Sequence, residues 1–192
     1  MAKRVFFSFH YQDVIDFRAN VVRKHDVTKE DREDAGFFDA SIWETAHRTG
    51  ASALTKLIND AVEGTTVTCV LIGSETFSRR WVRYEIIKSM ARGNKIFGVH
   101  INGVKDRYQT TKLNGQNPFD YLGLLYSADG YSFEIYEIIN NEWKVYGDFS
   151  GYKLSTQAQL ELRGKFFKLS HFYRTYDWNM DRGYENFASW VG

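Results

Sequence analysis

The stretch TTVTCVLIGSETFSRRWVRYEIIKSMARGNKIFGVHI, residues 65–101, decides the fold of this chain. It opens with an apolar β-branched run over 66–72, and a second apolar run over 95–101 closes it. Between the two runs, a polar turn leads into a helical pattern over 79–92 that ends at Gly93. Two buried parallel strands joined by a crossover helix have this pattern. The stretch therefore predicts one β-α-β unit.

The helix of this unit carries the leading candidate for chemistry, Glu85. Ser78 is a suitable N-cap residue and Gly93 fits the left-handed C-terminal cap. Trp81 and Glu85 are four residues apart and form a row beside the apolar face. Glu85 is therefore expected at the edge of the core. The helix begins at the carboxyl end of a strand, where α/β folds bind ligands.

The rest of the chain extends the unit into a flavodoxin-like α/β fold in a single domain, residues 1–192. A mainly parallel central sheet is predicted, with a β-hairpin inserted before C-terminal helices. The core occupies residues 3–101, and the hairpin and the C-terminal helices belong to residues 102–192. The further elements predicted are strands 4–9 and 36–39, a hairpin of 131–139 and 142–146, and helices 160–176 and 184–191.

Composition excludes several classes of protein. In 192 residues, 43% are hydrophobic and 17% aromatic, which favours a folded globular chain. The formal net charge of +1 gives no basic footprint for nucleic acid or an anionic membrane, and no apolar run approaches the length of a membrane span. The single cysteine, Cys69, is consistent with the reducing cytoplasm. The five histidines show no metal-ligand spacing, and neither GxxxxGK[ST] nor GxSxG occurs.

Three segments of the sequence resemble TIR domains that consume NAD. Residues 78–101 look like their catalytic segment, whose glutamate lies four positions after a tryptophan. RVFFSFHYQD, residues 4–13, resembles the first strand, and Phe37-Phe38-Asp39 resembles the end of the second. The similarity covers roughly residues 3–101 and is greatest to the TIR-like component of Thoeris anti-phage systems. The Arg-Asp-x-x-Pro-Gly loop of animal and plant TIR adaptors is missing, and ASIWETAHRTG stands there instead.

This resemblance implies a TIR-like enzyme that uses NAD as its substrate and holds no permanent cofactor. Glu85 would cleave the nicotinamide–ribose bond, and the ADP-ribose would be cyclised into a signal that activates an NAD-depleting effector. It further implies a phage-derived trigger and an active site that is completed on assembly into a homo-oligomer. The predicted partners include neither nucleic acid nor a membrane.

The other candidate site residues carry two interpretations each. Ser8, Phe9, His10 and Tyr11 lie where the resemblance places nucleotide-contacting residues, although Phe9 fits the core and His10 an exposed loop equally well. Trp81 either lines the pocket or packs in the core, and the core is the better interpretation for a tryptophan. Asp39 either borders the pocket or caps a turn. For Glu85 the alternative is a solvated helix residue paired with Arg83 or Lys88.

Two functions of other classes stay open beside the enzyme. One is a TIR-like interaction module without catalysis, and the other is a nucleotide-binding sensor without turnover. A flavodoxin-like fold is compatible with all three, because one architecture hosts many functions.

Overall fold

The computed structural model describes residues 4–24, 48–149 and 151–192, and the chain divides into two compact units. One unit combines Met1–Gln116 with Thr175–Gly192, and the other is Asn117–Arg174. The prediction that the whole chain is a single domain stays a prediction. The predicted strand 36–39 lies outside the described residues.

The first unit is built on a parallel sheet. Its described strands, in spatial order, are β1 (Val5–Phe9), β2 (Val67–Ile72), β3 (Lys95–His100) and β9 (Thr175–Asp177), and all neighbours run parallel. Every residue of β2 is buried, as its continuous apolar sequence predicts for a strand covered on both faces. The mainly parallel α/β sheet inferred from the sequence is confirmed.

Helices cover both faces of this sheet. In the described ranges they are α1 (Tyr11–Ile15), α2 (Arg18–Arg23), α3 (Ala51–Glu63), α4 (Arg80–Arg92) and α5 (Gly183–Val191). Within those ranges, no helix has both the length and the hydropathy needed to cross a membrane.

Successive side chains along each strand point to opposite faces of the sheet, so they pack into two different layers. On one face, Phe7 and Phe97 belong to a core that also contains Phe187 and Trp190 of α5. On the other face, Ser8 donates to Glu85 of α4, and Thr68 donates to Ser89 one turn further along the same helix. This alternation explains how one short strand serves both the core and a polar contact with α4.

The β-α-β unit of residues 65–101 is confirmed, with one local correction. Gly93 ends α4 at φ 77°, the left-handed conformation predicted for its C-terminal cap. The prediction that Ser78 is the N-cap is wrong. Ser78 lies in a 3₁₀ turn over Thr76–Ser78 and donates its hydroxyl to the Glu75 carbonyl, so the cap position falls to Arg79.

The second unit contains an antiparallel sheet. Its strands are β4 (Leu122–Tyr126), β5 (Ser132–Ile139), β6 (Glu142–Val145), β7 (Tyr152–Lys153) and β8 (Phe166–Lys168). The order is β6-β5-β4-β8, and β7 pairs with β5. The predicted hairpin is confirmed as β5 and β6. Asn140 and Asn141 turn the chain with positive φ values of 52° and 63°, as a tight two-residue hairpin turn requires.

The predicted helix over 160–176 is wrong. Phe166–Lys168 forms strand β8 against β4, and Thr175–Asp177 forms β9 against β3. Gly164 adopts φ 66° and interrupts any helix at this point. The helical spacing of the apolar residues misled the prediction because strand pairing with distant residues overrides a local pattern. In the described residues, α5 alone provides the helical end of the chain.

Candidate active site

A cavity of about 500 Å³ lies where β1 ends and α4 begins. This is the carboxyl edge of the parallel sheet, the edge at which open α/β sheets bind ligands. Its size is typical of a small-molecule site. The lining combines aromatic, cationic and carboxylic side chains: Phe9, His10, Tyr11, Arg48, Ser78, Arg79, Arg80, Trp81, Val82 and Glu85.

Glu85 projects into this cavity from the second turn of α4. Glu85 is only 4% exposed, so it is not the solvated helix residue that the alternative interpretation proposed. Ser8 Oγ, fully buried on β1, donates a hydrogen bond of 2.5 Å to Glu85 Oε2. The helix fixes the position of the carboxyl group, and the strand fixes its orientation.

Burial controls the charge of Glu85. Removal from water raises the pKa of this carboxyl group to about 8, and the hydrogen bond from Ser8 opposes the rise. At neutral pH the free protein therefore holds Glu85 mostly protonated. A cationic ligand placed beside the carboxyl group favours its ionised form and lowers this pKa.

The aromatic residues predicted from the sequence surround the same cavity. Phe9, Tyr11 and Trp81 all contribute to its wall. Trp81 is half-buried and makes an edge-to-face contact with Tyr84, at 5.9 Å between ring centroids. It therefore lines the pocket and packs against a core residue at once. Such rings offer flat apolar surfaces on which a heterocycle can stack.

The environment of His10 favours its neutral form. Burial lowers its pKa first, and the nearby Arg79 lowers it further. A neutral imidazole has one donor and one acceptor nitrogen. His10 can therefore hydrogen-bond a hydroxyl group or a phosphate without adding charge.

Comparison with known proteins identifies the family. The family model described as "Thoeris protein ThsB, TIR-like domain" matches residues 6–106, over half of the chain. The chain belongs to the Thoeris ThsB TIR-like family. A relative from Bacillus cereus (strain MSX-D12) is 59% identical over 191 residues, covering 100% of both chains. That relative carries the name "Putative cyclic ADP-D-ribose synthase ThsB1".

The structure of this ThsB-family chain brings most of the predicted site residues together. Phe9, His10, Tyr11, Trp81 and Glu85 line one cavity, and Ser8 reaches it through Glu85. Asp39 lies outside the described residues, so its place at the pocket stays a prediction.

Three arginines line the cavity but were not predicted as site residues from the sequence: Arg48, Arg79 and Arg80. Arg79 pairs with Glu75, and the Arg80 guanidinium lies 5.1 Å from the Trp81 ring centroid. One signal was available in the sequence. Two adjacent arginines at the start of a helix oppose its dipole, which is a reason to look for an anion there.

A second buried carboxyl group lies close to the turn between β2 and α4. Asp13 of α1 is buried, and its Oδ2 has no hydrogen-bond partner among the described residues. Burial raises the pKa of this carboxyl group to about 6. A Cβ added at Gly73 would lie 2.1 Å from Asp13 Oδ2, so the β2–α4 turn approaches closely only because residue 73 is glycine.

No cluster of three or more His, Cys, Asp or Glu side chains able to hold a metal ion occurs in the part of the chain that the structure describes. Cys69 is buried in β2, and burial raises the pKa of its thiol. A thiol in this state is a poor nucleophile and a poor ligand.

Proposed function

We propose that this protein cleaves the nicotinamide–ribose bond of NAD and cyclises the remaining ADP-ribose into a signal nucleotide. The observation that carries the proposal is Glu85, a buried acid on an aromatic-lined cavity at the start of α4. The family match supports the substrate, and the name of the Bacillus cereus relative supports a cyclic product.

In this reaction the bond between the nicotinamide nitrogen and the ribose anomeric carbon breaks, and its electron pair leaves with neutral nicotinamide. Positive charge develops on the ribose. Glu85, ionised by the cationic ring of the bound substrate, stabilises that charge and holds the ribose hydroxyl groups. A fixed carboxylate in a dry site is effective because it needs no reorganisation during the reaction.

Cyclisation requires that a group of ADP-ribose itself, and not water, attacks the anomeric carbon and loses a proton. The aromatic rings of Phe9, Tyr11 and Trp81 and the side chain of Val82 supply an apolar wall. Exclusion of water by such a wall favours the internal nucleophile over hydrolysis. The product then has the mass of ADP-ribose less one water.

Membership of the Thoeris family supports a cellular role in signalling. We assign the signal to a partner effector that depletes NAD in infected cytoplasm, and the trigger to a component derived from the phage. Assembly into a homo-oligomer would complete the site, so nicotinamide release per molecule is expected to rise with protein concentration. Equal specific activity over a wide dilution range would contradict assembly.

The test is mass analysis of nucleotides from infected cells that express the wild type or Glu85→Gln. Glu63→Gln, an exposed change at the end of α3, is the matched control. A new nucleotide of the cyclic mass is expected in the wild type and in Glu63→Gln and absent from Glu85→Gln. If all cells contain the same nucleotides while the wild type still protects its cells from the phage, catalysis is excluded. The function is then that of the TIR-like interaction module.

A further inference from the structure

Strand β6 forms one edge of the antiparallel sheet in the second unit. It pairs with β5 on one side, and no described strand pairs with it on the other. All four of its residues, Glu142–Val145, are exposed. A free edge presents backbone N–H and C=O groups that a further strand can bind, so folded proteins usually protect such edges. The sequence of β6 shows which strand fits there.

The register of the hairpin shows which backbone groups of β6 face outward. A two-residue turn over 140–141 joins β5 to β6, and Ile139 pairs with Glu142 beside it. The pair that closes such a turn is hydrogen-bonded, and hydrogen-bonded and non-hydrogen-bonded pairs then alternate along the two strands. Trp143 is the next residue along β6, so its N–H and C=O groups point away from β5.

The charges of β6 complement those of a second copy of the same strand. Glu142 and Lys144 lie on one face, with 3.4 Å between Glu142 Oε2 and Lys144 Nζ, and their side chains are 72% and 49% exposed. When two copies pair antiparallel about a two-fold axis at Trp143, each Glu142 lies opposite Lys144 of the other copy. Both of these pairs occupy non-hydrogen-bonded positions, where facing side chains are closest.

Charge also selects this register over its nearest alternative. An axis at Lys144 would pair Trp143 with Val145, but it would place Lys144 directly opposite Lys144 of the second copy. Like charges directly opposite each other destabilise a sheet. At the other end of the strand order, β8 has Lys168 as its one charged residue, so two copies of β8 offer no complementary pair.

The other face of β6 belongs to an apolar patch that the pairing would enlarge. Trp143 and Val145 are 36% and 51% exposed. The Trp143 ring lies 4.7 Å from the ring of Phe166 on β8, and Phe166 also contacts the ring of Tyr136 on β5 at 5.9 Å. An axis at Trp143 brings the indole rings of both copies side by side and joins their two patches. Aromatic pairs across neighbouring strands stabilise a sheet.

We propose that the outer edge of β6 is a homodimer interface, at which two copies of the chain pair antiparallel about a two-fold axis at Trp143. The two tryptophans exchange backbone hydrogen bonds, and the pairs of Glu142 with Lys144 fix the register. This inference supplies an interface for the homo-oligomer of the proposed function, and it rests on that function only for the biological role of the dimer.

Sedimentation equilibrium measures the pairing. The average molar mass of the wild type should rise with protein concentration from 22.4 kDa towards twice that value. Glu142→Lys and Lys144→Glu each bring like charges together, so each should raise the dimer Kd by roughly tenfold or more. Lys56→Glu, an exposed change on α3, is the matched control and should leave the Kd unchanged. Far-UV circular dichroism confirms that each variant is folded.

The two charge reversals give a sharper test when they are combined. An equimolar mixture of Glu142→Lys and Lys144→Glu should form a heterodimer, because every positive charge on one strand then faces a negative charge on the other. The double exchange Glu142→Lys/Lys144→Glu should restore the homodimer, since the strand complements itself again. Its net charge equals that of the wild type, so restoration cannot come from a general change in charge.

The inference is overturned if the wild type stays at 22.4 kDa at every concentration, which would leave the edge to a strand of another protein. It is equally overturned if the single reversals leave the Kd unchanged, or if either combination fails to restore pairing. Mass analysis of infected cells tests the proposed function separately. If the dimer responds to the charges as expected but no cyclic nucleotide is made, the interface stands and the proposed function fails.

Discussion

Glu85 combines two demands that oppose each other. Its burial raises the pKa to about 8, yet the stabilisation of a cationic ribose in the proposed reaction needs the carboxylate form. We therefore predict that kcat/KM for nicotinamide release rises with pH through about 8 and then levels off, because kcat/KM reports ionisations of the free enzyme. A pH profile of initial rates measures this. A profile that is flat between about pH 6 and 9 would contradict it.

The same ionisation makes stability depend on pH. Between pH 4.5, the ordinary pKa of a glutamate side chain, and about pH 8, the folded protein holds a proton on Glu85 that the unfolded chain releases. Its contribution to stability is thus fully present below pH 4.5 and is lost as pH rises through about 8. Glu85→Gln cannot ionise, so it should gain stability relative to the wild type by roughly 1.4 kcal/mol per pH unit within this window.

Urea unfolding of both proteins from pH 5 to 9 measures the gain. Glu63→Gln, on an exposed face, should follow the wild type throughout. A constant difference between Glu85→Gln and the wild type would show that the buried carboxyl group does not ionise in this range.

In the proposed reaction, Ser8 would act through Glu85. Its hydroxyl donates to the carboxyl group and lowers the pKa of Glu85. Ser8→Ala should therefore shift the midpoint of the pH profile to higher pH, since the carboxylate loses a donor. Ser89→Ala is the matched control because Ser89 is equally buried on α4 but contacts Thr68 instead. An unshifted midpoint in Ser8→Ala would exclude a positioning role.

The sequence predicts the residues of the site unevenly. The spacing of Trp81 and Glu85 beside an apolar face was enough to place Glu85 at the edge of the core. The arginines were missed because an exposed cation on a helix is usually solvated, and only the folded chain shows which of them meet at one cavity. Asp39 stays a prediction.

At the level of elements, Arg18 joins α2 to the segment that follows β3. Its buried guanidinium donates to Val104 O at 2.9 Å and to Thr110 O at 2.8 Å. It also pairs with Asp16 at 3.0 Å and with Asp106 at 3.1 Å. One side chain therefore satisfies four acceptors.

Arg18→Met should lower the free energy of unfolding by about 1–3 kcal/mol, because it leaves the Val104 carbonyl without its donor and removes one partner each from the Thr110 carbonyl, Asp16 and Asp106. Urea unfolding measures the loss. Lys56→Met, an exposed change on α3, controls for the removal of a positive charge. If the two variants lose equal stability, the buried network is not what holds the segment.

Elements were predictable where local and distant interactions agree. The β-α-β unit and the Asn140-Asn141 hairpin have local patterns that match their partners in the fold. The helix predicted over 160–176 was wrong because its spacing satisfied a local rule, while β8 and β9 pair with strands far away in sequence.

At the scale of the whole molecule, the segment that matches the family model is shorter than the sequence that forms the first unit. The match ends at residue 106, yet the first unit also contains Thr175–Gly192. There, β9 extends the parallel sheet beside β3, and α5 packs Phe187 into the core. We therefore expect the stability of the first unit to depend on residues 175–192, which lie outside the matched segment.

Phe187 tests this dependence. It is 0% exposed, and its ring lies 6.1 Å from those of Phe7 and Phe97, on β1 and β3. Phe187→Ala should cost about 3–5 kcal/mol, because it removes a large ring from a closed core. Tyr184→Ala is the matched control, since Tyr184 lies on the same helix and is 69% exposed.

Urea unfolding followed by tryptophan fluorescence measures both changes, because Trp178 and Trp190 belong to the same core as Phe187. A large loss for Phe187→Ala and a small one for Tyr184→Ala would show that α5 completes the TIR-like unit. Equal small losses would mean that α5 can detach while the sheet stays folded. In that case, residues 6–106 would not need the end of the chain, and nicotinamide release should survive the change.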